Sequence, residues 1–270
     1  MLYYLKNRRG GTVAENKRLE DLMEIIRVLR SEQGCPWDRA QTHETLKDSM
    51  IEEAYEVIDA VDQKDSVNLR EELGDVLLQV ALHSVIAEEN AEFTISEVIG
   101  DVTDKMIRRH PHVFGTSSVN SVDGVVKQWD EIKRQEHNQK TIADSLRSVP
   151  RAMPATMRTA KIQKKVKKAG VGLPSAETDF EWINDTITKL QEVREKQDAI
   201  ALGEYYGELL FEVINLSTIL GLNAENSLTN AVDKFINRFV GIERVASREG
   251  KRLSELSVNY ENELWRLNNK

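Results

Sequence analysis

Apolar positions along most of this chain recur at helical spacing. Leu19, Leu22, Met23, Ile26 and Leu29 predict a first helix that stops at Gly34, before a Cys35-Pro36-Trp37-Asp38 turn. Leu46, Met50, Ala54, Val57 and Val61 make an apolar stripe on a second helix. After a turn around Gln63 to Ser66, Leu69, Leu73, Val76, Leu77, Val80 and Ala81 define a third. Thr94 and Glu97 fit a capping box that opens a fourth helix, with Ile95, Val98, Val102 and Met106 apolar. Lys105, Arg108 and Arg109 cluster near its end, and His110-Pro111-His112 breaks it. A fifth helix is expected over 121–139, with Val122, Val125, Trp129 and Ile132 inward.

Residues 141–175 hold Pro150, Pro154 and Pro174 around a basic stretch from Lys161 to Lys168, which predicts a connector with one helix in it. Beyond it the chain weakly repeats itself. Gly74-Asp75-Val76-Leu77-Leu78 returns as Gly207-Glu208-Leu209-Leu210-Phe211, and Asn90-Ala91-Glu92 as Asn223-Ala224-Glu225. Asp104 to Arg109 returns as Asp233 to Arg238 after a small deletion. An internal duplication accounts for these matches. The expected organisation is a loose extension over 1–15, a first domain over 16–140, a linker over 141–175 and a second domain over 176–270.

Composition supports an all-α protein. The 270 residues are 40% hydrophobic and 30% charged, with 5 Pro and 14 Gly, so the chain can bury real cores and has few helix breakers. A formal net charge of -8 argues against a general nucleic-acid or anionic-membrane binder. The single cysteine, Cys35, allows no intramolecular disulfide and suits a reducing compartment, the cytoplasm being the simplest. The basic start of the chain lacks the apolar core of a signal peptide, and no run is long enough to span a membrane.

The chemistry is carried by two carboxylate pairs, Glu53-x-x-Glu56 and Glu72-x-x-Asp75, each bordering an apolar helical stripe. An i, i+3 spacing puts both members of a pair on one helix face. If the two helices pack antiparallel, four acidic side chains converge on a space suited to a hard cation, and without one they repel each other. Glu52 and Glu71 adjoin the pairs, and their excess charge points to two or more Mg2+ ions, with Mn2+ as a substitute. A solvated acidic face is the commoner fate of Glu on a helix, but two matched pairs on neighbouring amphipathic helices argue against it. In the second copy, Glu192-x-x-Glu195 can match the first pair and Glu208 stands for Asp75, while Tyr205 holds the position of Glu72.

With these motifs in view, the chain resembles the two-domain MazG-type nucleoside triphosphate pyrophosphohydrolases. The resemblance rests on Gly34-Cys35-Pro36-Trp37-Asp38, Glu52-Glu53-Ala54-Tyr55-Glu56-Val57, Glu71-Glu72-Leu73-Gly74-Asp75, Arg108 to Gly115, and Trp129-Asp130-Glu131-Ile132-Lys133. It implies tandem antiparallel helical domains, a homodimer, and hydrolysis of a nucleoside triphosphate to the monophosphate and pyrophosphate. It also implies that Glu53, Glu56, Glu72 and Asp75 hold Mg2+ and that Lys105, Arg109 and Trp129 contact the nucleotide. In the second domain, Lys234, Arg238 and Trp265 match by position, so Glu192, Glu195 and Glu208 with these three form a possible further site whose Tyr205 departs from the acidic pattern. A non-ligating oxygen of Glu52 or Glu71 is a candidate for orienting the attacking water.

Other readings compete. Lys105 and Arg109 also suit a positive helix C-terminus complementing the macrodipole, and Trp129 suits a core position. A non-catalytic nucleotide sensor or dimerisation scaffold would keep the acidic residues without turnover. A di-iron carboxylate protein is disfavoured because neither pair is part of a Glu-x-x-His motif.

Overall fold

A computed structural model describes residues 17–172, 174–248, 250 and 252. The described residues form helices without strands and divide into two compact units, up to Ile132 and from Lys133. The expected extension over 1–15 and the candidate Trp265 lie outside the described residues.

In the first unit, α1 (Leu19–Arg30) is followed by the short α2 (Pro36–Ala40), α3 (Lys47–Gln63), α4 (Ser66–Glu89), α5 (Ile95–Arg109), α6 (Pro111–Phe114) and α7 (Val122–Glu136), whose last turn passes into the second unit. Gly34 ends the turn after α1, where a Cβ would collide with the carbonyl oxygens of Val28 and Leu29. The core joins Met23 and Ile26 of α1 to Leu46 and to Ala81, Leu82, Val85 and Ile86 of α4. Two ion pairs hold α1 along the end of α4: Arg27 with Glu88 and the buried Arg30 with Glu89, at 2.9 and 2.8 Å. His43 Nδ1 lies 2.7 Å from His83 Nδ1 and ties the loop before α3 to α4.

α3 and α4 form a tight helical hairpin. Lys64 ends α3 in the left-handed region at φ 58°, and the Asp65 side chain accepts from the amides of Val67 and Asn68 to cap α4. The expected stripe on α3 is only partly inward: Leu46 is buried, Met50 and Val57 half-buried, and Ala54 and Val61 exposed. α3 carries more apolar residues than one face can bury. Ile51, Tyr55, Ile58 and Val61, with Leu73 and Leu77 of α4, are exposed among the described residues.

The second unit contains α8 (Ile142–Arg147), α9 (Ala155–Lys168), α10 (Ala176–Glu195), α11 (Ala199–Ile219) and α12 (Ala224–Arg248). The stretch 141–175 thus holds two helices where the sequence suggests one. The shorter, α8, is opened by a Thr141/Asp144 capping box, a signal that the prolines around it obscure. α9 packs on α11, with Gln163 buried and bonded to the Phe211 carbonyl and the Thr218 hydroxyl.

α10 and α11 repeat the hairpin of α3 and α4. Gln197, at φ 57°, stands for Lys64, and Asp198 caps α11 through the amides of Ile200 and Ala201 as Asp65 caps α4. The Asn90/Asn223 match is not structural: Asn90 is the C-cap of α4, whereas the Asn223 side chain accepts from the Asn226 amide at the start of α12, the role of Thr94 before α5. The small deletion therefore falls between α11 and α12.

Candidate metal centre

The hairpin geometry decides which carboxylates meet. Ligand oxygens of Glu53 and Glu56 on α3 and Glu72 on α4 lie within 4.8 Å of one another, and they are the group of three or more acidic, His or Cys side chains among the described residues that is close enough to share an ion. Asp75 stands outside that tight group but near enough that its charge acts on both Glu53 and Glu72. Glu52 and Glu71 are exposed and add their repulsion to Glu53 and Glu72 respectively.

The crowding shows in protonation. Desolvation, then the charges of Asp75 and Glu56 and a hydrogen bond to Glu56, holds the Glu53 carboxyl above its ordinary value. Glu72 is raised by desolvation, then by the Glu56 charge, a hydrogen bond to Glu56, and the charges of Asp75 and Glu71. Hard oxygen donors that destabilise one another's ionised forms fit a divalent cation.

This has a measurable consequence for the metal-free chain. Two carboxyls with raised folded-state values bind protons more tightly folded than unfolded, so their contribution to stability is greatest at acid pH and is lost as pH rises above their ordinary value of 4.5, opposite in sign to that of the hydrogen-bonded Glu97, Asp144 and Glu177, whose values are lowered. The melting temperature of the native chain in chelator should fall relative to that of Glu53→Gln across that window, because the variant lacks one of the two raised carboxyls. An unchanged slope in that variant would show that the crowding contributes nothing.

The candidate nucleotide residues lie on α5 and α7. Arg109 is buried at 7% exposure with its guanidinium carbon 5.2 Å from the centre of the Trp129 ring, and His110 meets the same ring edge-on at 5.0 Å. His110 also caps the end of α5 and starts α6, with Nδ1 2.6 Å from the Met106 carbonyl. It is thus a structural partner of Trp129 that sequence reading assigned only to helix termination. Lys105 is half-buried one turn before Arg109.

In the second unit the structural register differs from the sequence match. Glu53 stands eleven residues before the left-handed Lys64, and the residue eleven before Gln197 is Thr186. By the same count Lys189 replaces Glu56, Tyr205 replaces Glu72 and Glu208 replaces Asp75. Glu192 and Glu195 belong to the exposed last turn of α10, displaced from the face that Glu53 and Glu56 occupy in α3. Three residues separate helix from helix at this turn and two at the first, so counting from the helix end misleads. Where the first unit crowds two acids, the second sets the Lys189 ammonium over the Tyr205 ring at 5.8 Å. Glu208 and Lys234 are exposed and Arg238 half-buried.

Residues 41–114, which contain the carboxylate hairpin, match the model of the MazG nucleotide pyrophosphohydrolase domain. The chain is 41% identical over 246 residues to the nucleoside triphosphate pyrophosphohydrolase/pyrophosphatase MazG of Thermotoga maritima, covering 91% of this chain and 93% of that protein. It is 36% identical over 253 residues to the nucleoside triphosphate pyrophosphohydrolase of Escherichia coli, covering 92% and 95%. A crystal structure of a mazG-related protein from Thermotoga maritima aligns with 43% of this chain and 98% of its own at 34% identity and a TM-score of 0.37.

Proposed function

The chain belongs to the MazG family and is a nucleoside triphosphate pyrophosphohydrolase, and from that premise we propose that its first unit performs Mg2+-dependent cleavage of the α-β phosphoanhydride. The products are a nucleoside monophosphate and pyrophosphate, with NTPs and dNTPs, non-canonical ones included, as substrates in nucleotide-pool house-cleaning. The observation that carries this reading is the convergence of Glu53, Glu56 and Glu72, with Asp75 beside them, in the only part of the described chain that gathers so many hard donors.

Glu53, Glu56, Glu72 and Asp75 hold the ions, and Mn2+ can substitute for Mg2+ since both favour oxygen ligands. Bound divalent metal would supply charge neutralisation at the triphosphate and a lower pKa for an attacking water. The chain's own residues position. Glu52 and Glu71, adjoining the ligands, orient that water or take its proton. Lys105 and Arg109 bind phosphate oxygens, the guanidinium as a planar fork and the ammonium as a point charge. Trp129, with Arg109 already on it, offers an aromatic surface to the nucleotide.

The exposed Ile51, Tyr55, Ile58, Leu73 and Leu77 border the same hairpin, which supports a homodimer whose interface covers this flank and completes the site. Sedimentation at micromolar concentration should give a dimer; a fully active monomer would contradict this. Cys35 is free, and among the described residues no helix is long and apolar enough to cross a membrane, which is compatible with a cytoplasmic enzyme acting on free nucleotides.

The second unit supports the scaffold reading for itself alone. With Thr186, Lys189 and Tyr205 in place of three acids, its hairpin keeps one of the four carboxylates at the positions of the metal centre, Glu208, and sets the Lys189 ammonium on the Tyr205 ring beside them. Pyrophosphate release measured with Mg2+ and with chelator tests the function: release must occur in the first condition and stop in the second. No release with any divalent ion would leave a sensor or scaffold as the function of the whole chain.

A further inference from the structure

His43 and His83 meet through facing ring nitrogens. His43 stands in the loop before α3 and His83 on α4, both half-buried, with Nδ1 to Nδ1 at 2.7 Å. The ring planes are within 4° of parallel, and the ring centres are 5.0 Å apart, no more than the nitrogen separation plus one ring radius on each side. The imidazoles are therefore coplanar and end to end, with one proton on the line between them. The outer nitrogen of His43, Nε2, is 3.8 Å from Glu92 Oε2 in the turn after α4. The other charges on the neighbouring elements are engaged elsewhere. Lys47 of α3 pairs with Glu44, while Asp48 is exposed. On α1, Glu20 and Asp21 turn to Arg18, Arg27 pairs with Glu24 and Glu88, and Arg30 pairs with Glu89. Glu97 of α5 is held by Thr94.

Counting protons decides what this arrangement tolerates. A neutral pair has one Nδ1–H and one bare Nδ1, which together make the hydrogen bond. A further proton fits on His43 Nε2, where it faces the Glu92 carboxylate and makes the bond between the rings charge-assisted. The next has only His83 Nδ1 to bind, and it would set two N–H groups against each other at 2.7 Å. Burial, then the charge of His43, holds His83 below its ordinary value of 6.5. A lowered folded-state value means that the unfolded chain binds this proton more tightly. The stabilisation is therefore complete above 6.5 and is lost as pH falls below it.

What the pair holds is the start of the carboxylate hairpin. α3 opens without a capping side chain: its N-cap is Leu46, whose amide is bonded to the Thr42 carbonyl and whose side chain lies in the core. Thr42 and Thr45 close the same turn on itself through reciprocal hydroxyl bonds. His43 ties that turn to α4, and Glu53 and Glu56 follow within about three turns of helix. We propose that His43 and His83 are a positioning pair for α3, a latch of two imidazoles around one shared proton that opens when both rings are fully protonated.

Backbone hydrogen exchange at Thr42, Thr45 and Leu46 in the full-length protein tests the latch. It is read at about pH 7.5 and about pH 5.5, either side of the histidine range, and corrected for the intrinsic pH dependence of exchange. His83→Asn is the comparison. Its amide replaces the Nδ1 side of the ring and keeps a hydrogen bond but cannot titrate, and Glu53 and Glu72 titrate alike in both chains. Between the two pH values, protection in the native chain should fall about tenfold or more further than in His83→Asn, the scale of a charge-assisted hydrogen bond. His43→Ala should lack the protection at both. An equal fall in the native chain and His83→Asn, or native-like protection in His43→Ala, overturns the latch. Should His83→Asn fail to fold, the imidazole 15N resonances of the native chain decide. One ring of the pair should stay neutral well below 6.5, and independent titration of both near 6.5 overturns the proposal. No turnover enters either readout, so the latch and the proposed reaction fail independently.

Discussion

Glu53→Gln, and equally Asp75→Asn, should lower pyrophosphate release at least about 100-fold while leaving the helical spectrum intact, a loss at or beyond that seen when partners behind metal ligands are removed. An amide keeps the shape of the carboxyl but cannot carry the charge that holds a divalent ion. Stability should move the opposite way. The Glu53 carboxyl is pushed up by desolvation and by Asp75 and Glu56, so neutralising it relieves repulsion in the metal-free chain. A variant inactive yet more heat-resistant in chelator is the signature of an acidic cluster maintained for binding. A variant that is inactive and unfolded would mean that Glu53 is structural, and full turnover would remove it from the site.

The second large effect is an asymmetry between the two units. Glu72→Gln should reduce activity by the same order as Glu53→Gln, whereas Glu208→Gln should leave it within about twofold, the range of ordinary surface changes. The reason is the register of α10. Thr186, Lys189 and Tyr205 stand where the first unit has Glu53, Glu56 and Glu72, and the Lys189 ammonium sits on the Tyr205 ring where an ion would need a carboxylate. Loss of ligands and the arrival of a fixed cation both disfavour Mg2+. The variants are read by initial rates of pyrophosphate release. If Glu208→Gln eliminates activity and Glu72→Gln does not, catalysis belongs to the second unit.

Much of this was legible in the chain. The helical periods of α1, α3, α4 and α5 and the Thr94/Glu97 box appear where the residues predict them, because capping and amphipathic spacing are local properties. Glu53, Glu56 and Glu72 could be grouped because i, i+3 spacing and a short turn leave two helices little choice of partner face. The inward face of α3 was harder. Its apolar residues cover more than one side, and periodicity does not tell a face buried in the unit from one left for a partner.

The second unit was misread for a different reason. Glu192-x-x-Glu195 copies the motif in letters, but the register is set by backbone conformation, the left-handed Gln197 and the Asp198 cap, which a motif match does not weigh. Likewise Asp179 looks like one more first-turn acid that complements a helix N-terminus. Its complete burial is a tertiary fact. So is the packing of Arg109 and His110 on Trp129, which join through residues far apart in the chain.

Where the triphosphate is cut defines the reaction. Early-time products of a nucleoside triphosphate turned over with Mg2+ in 18O-enriched water identify both the bond broken and the atom attacked. Attack at the α-phosphorus, as proposed for the carboxylate hairpin of α3 and α4, puts the label in the monophosphate and releases pyrophosphate intact and unlabelled. Orthophosphate as the only primary product, with the label in it, would contradict the proposed chemistry of this site.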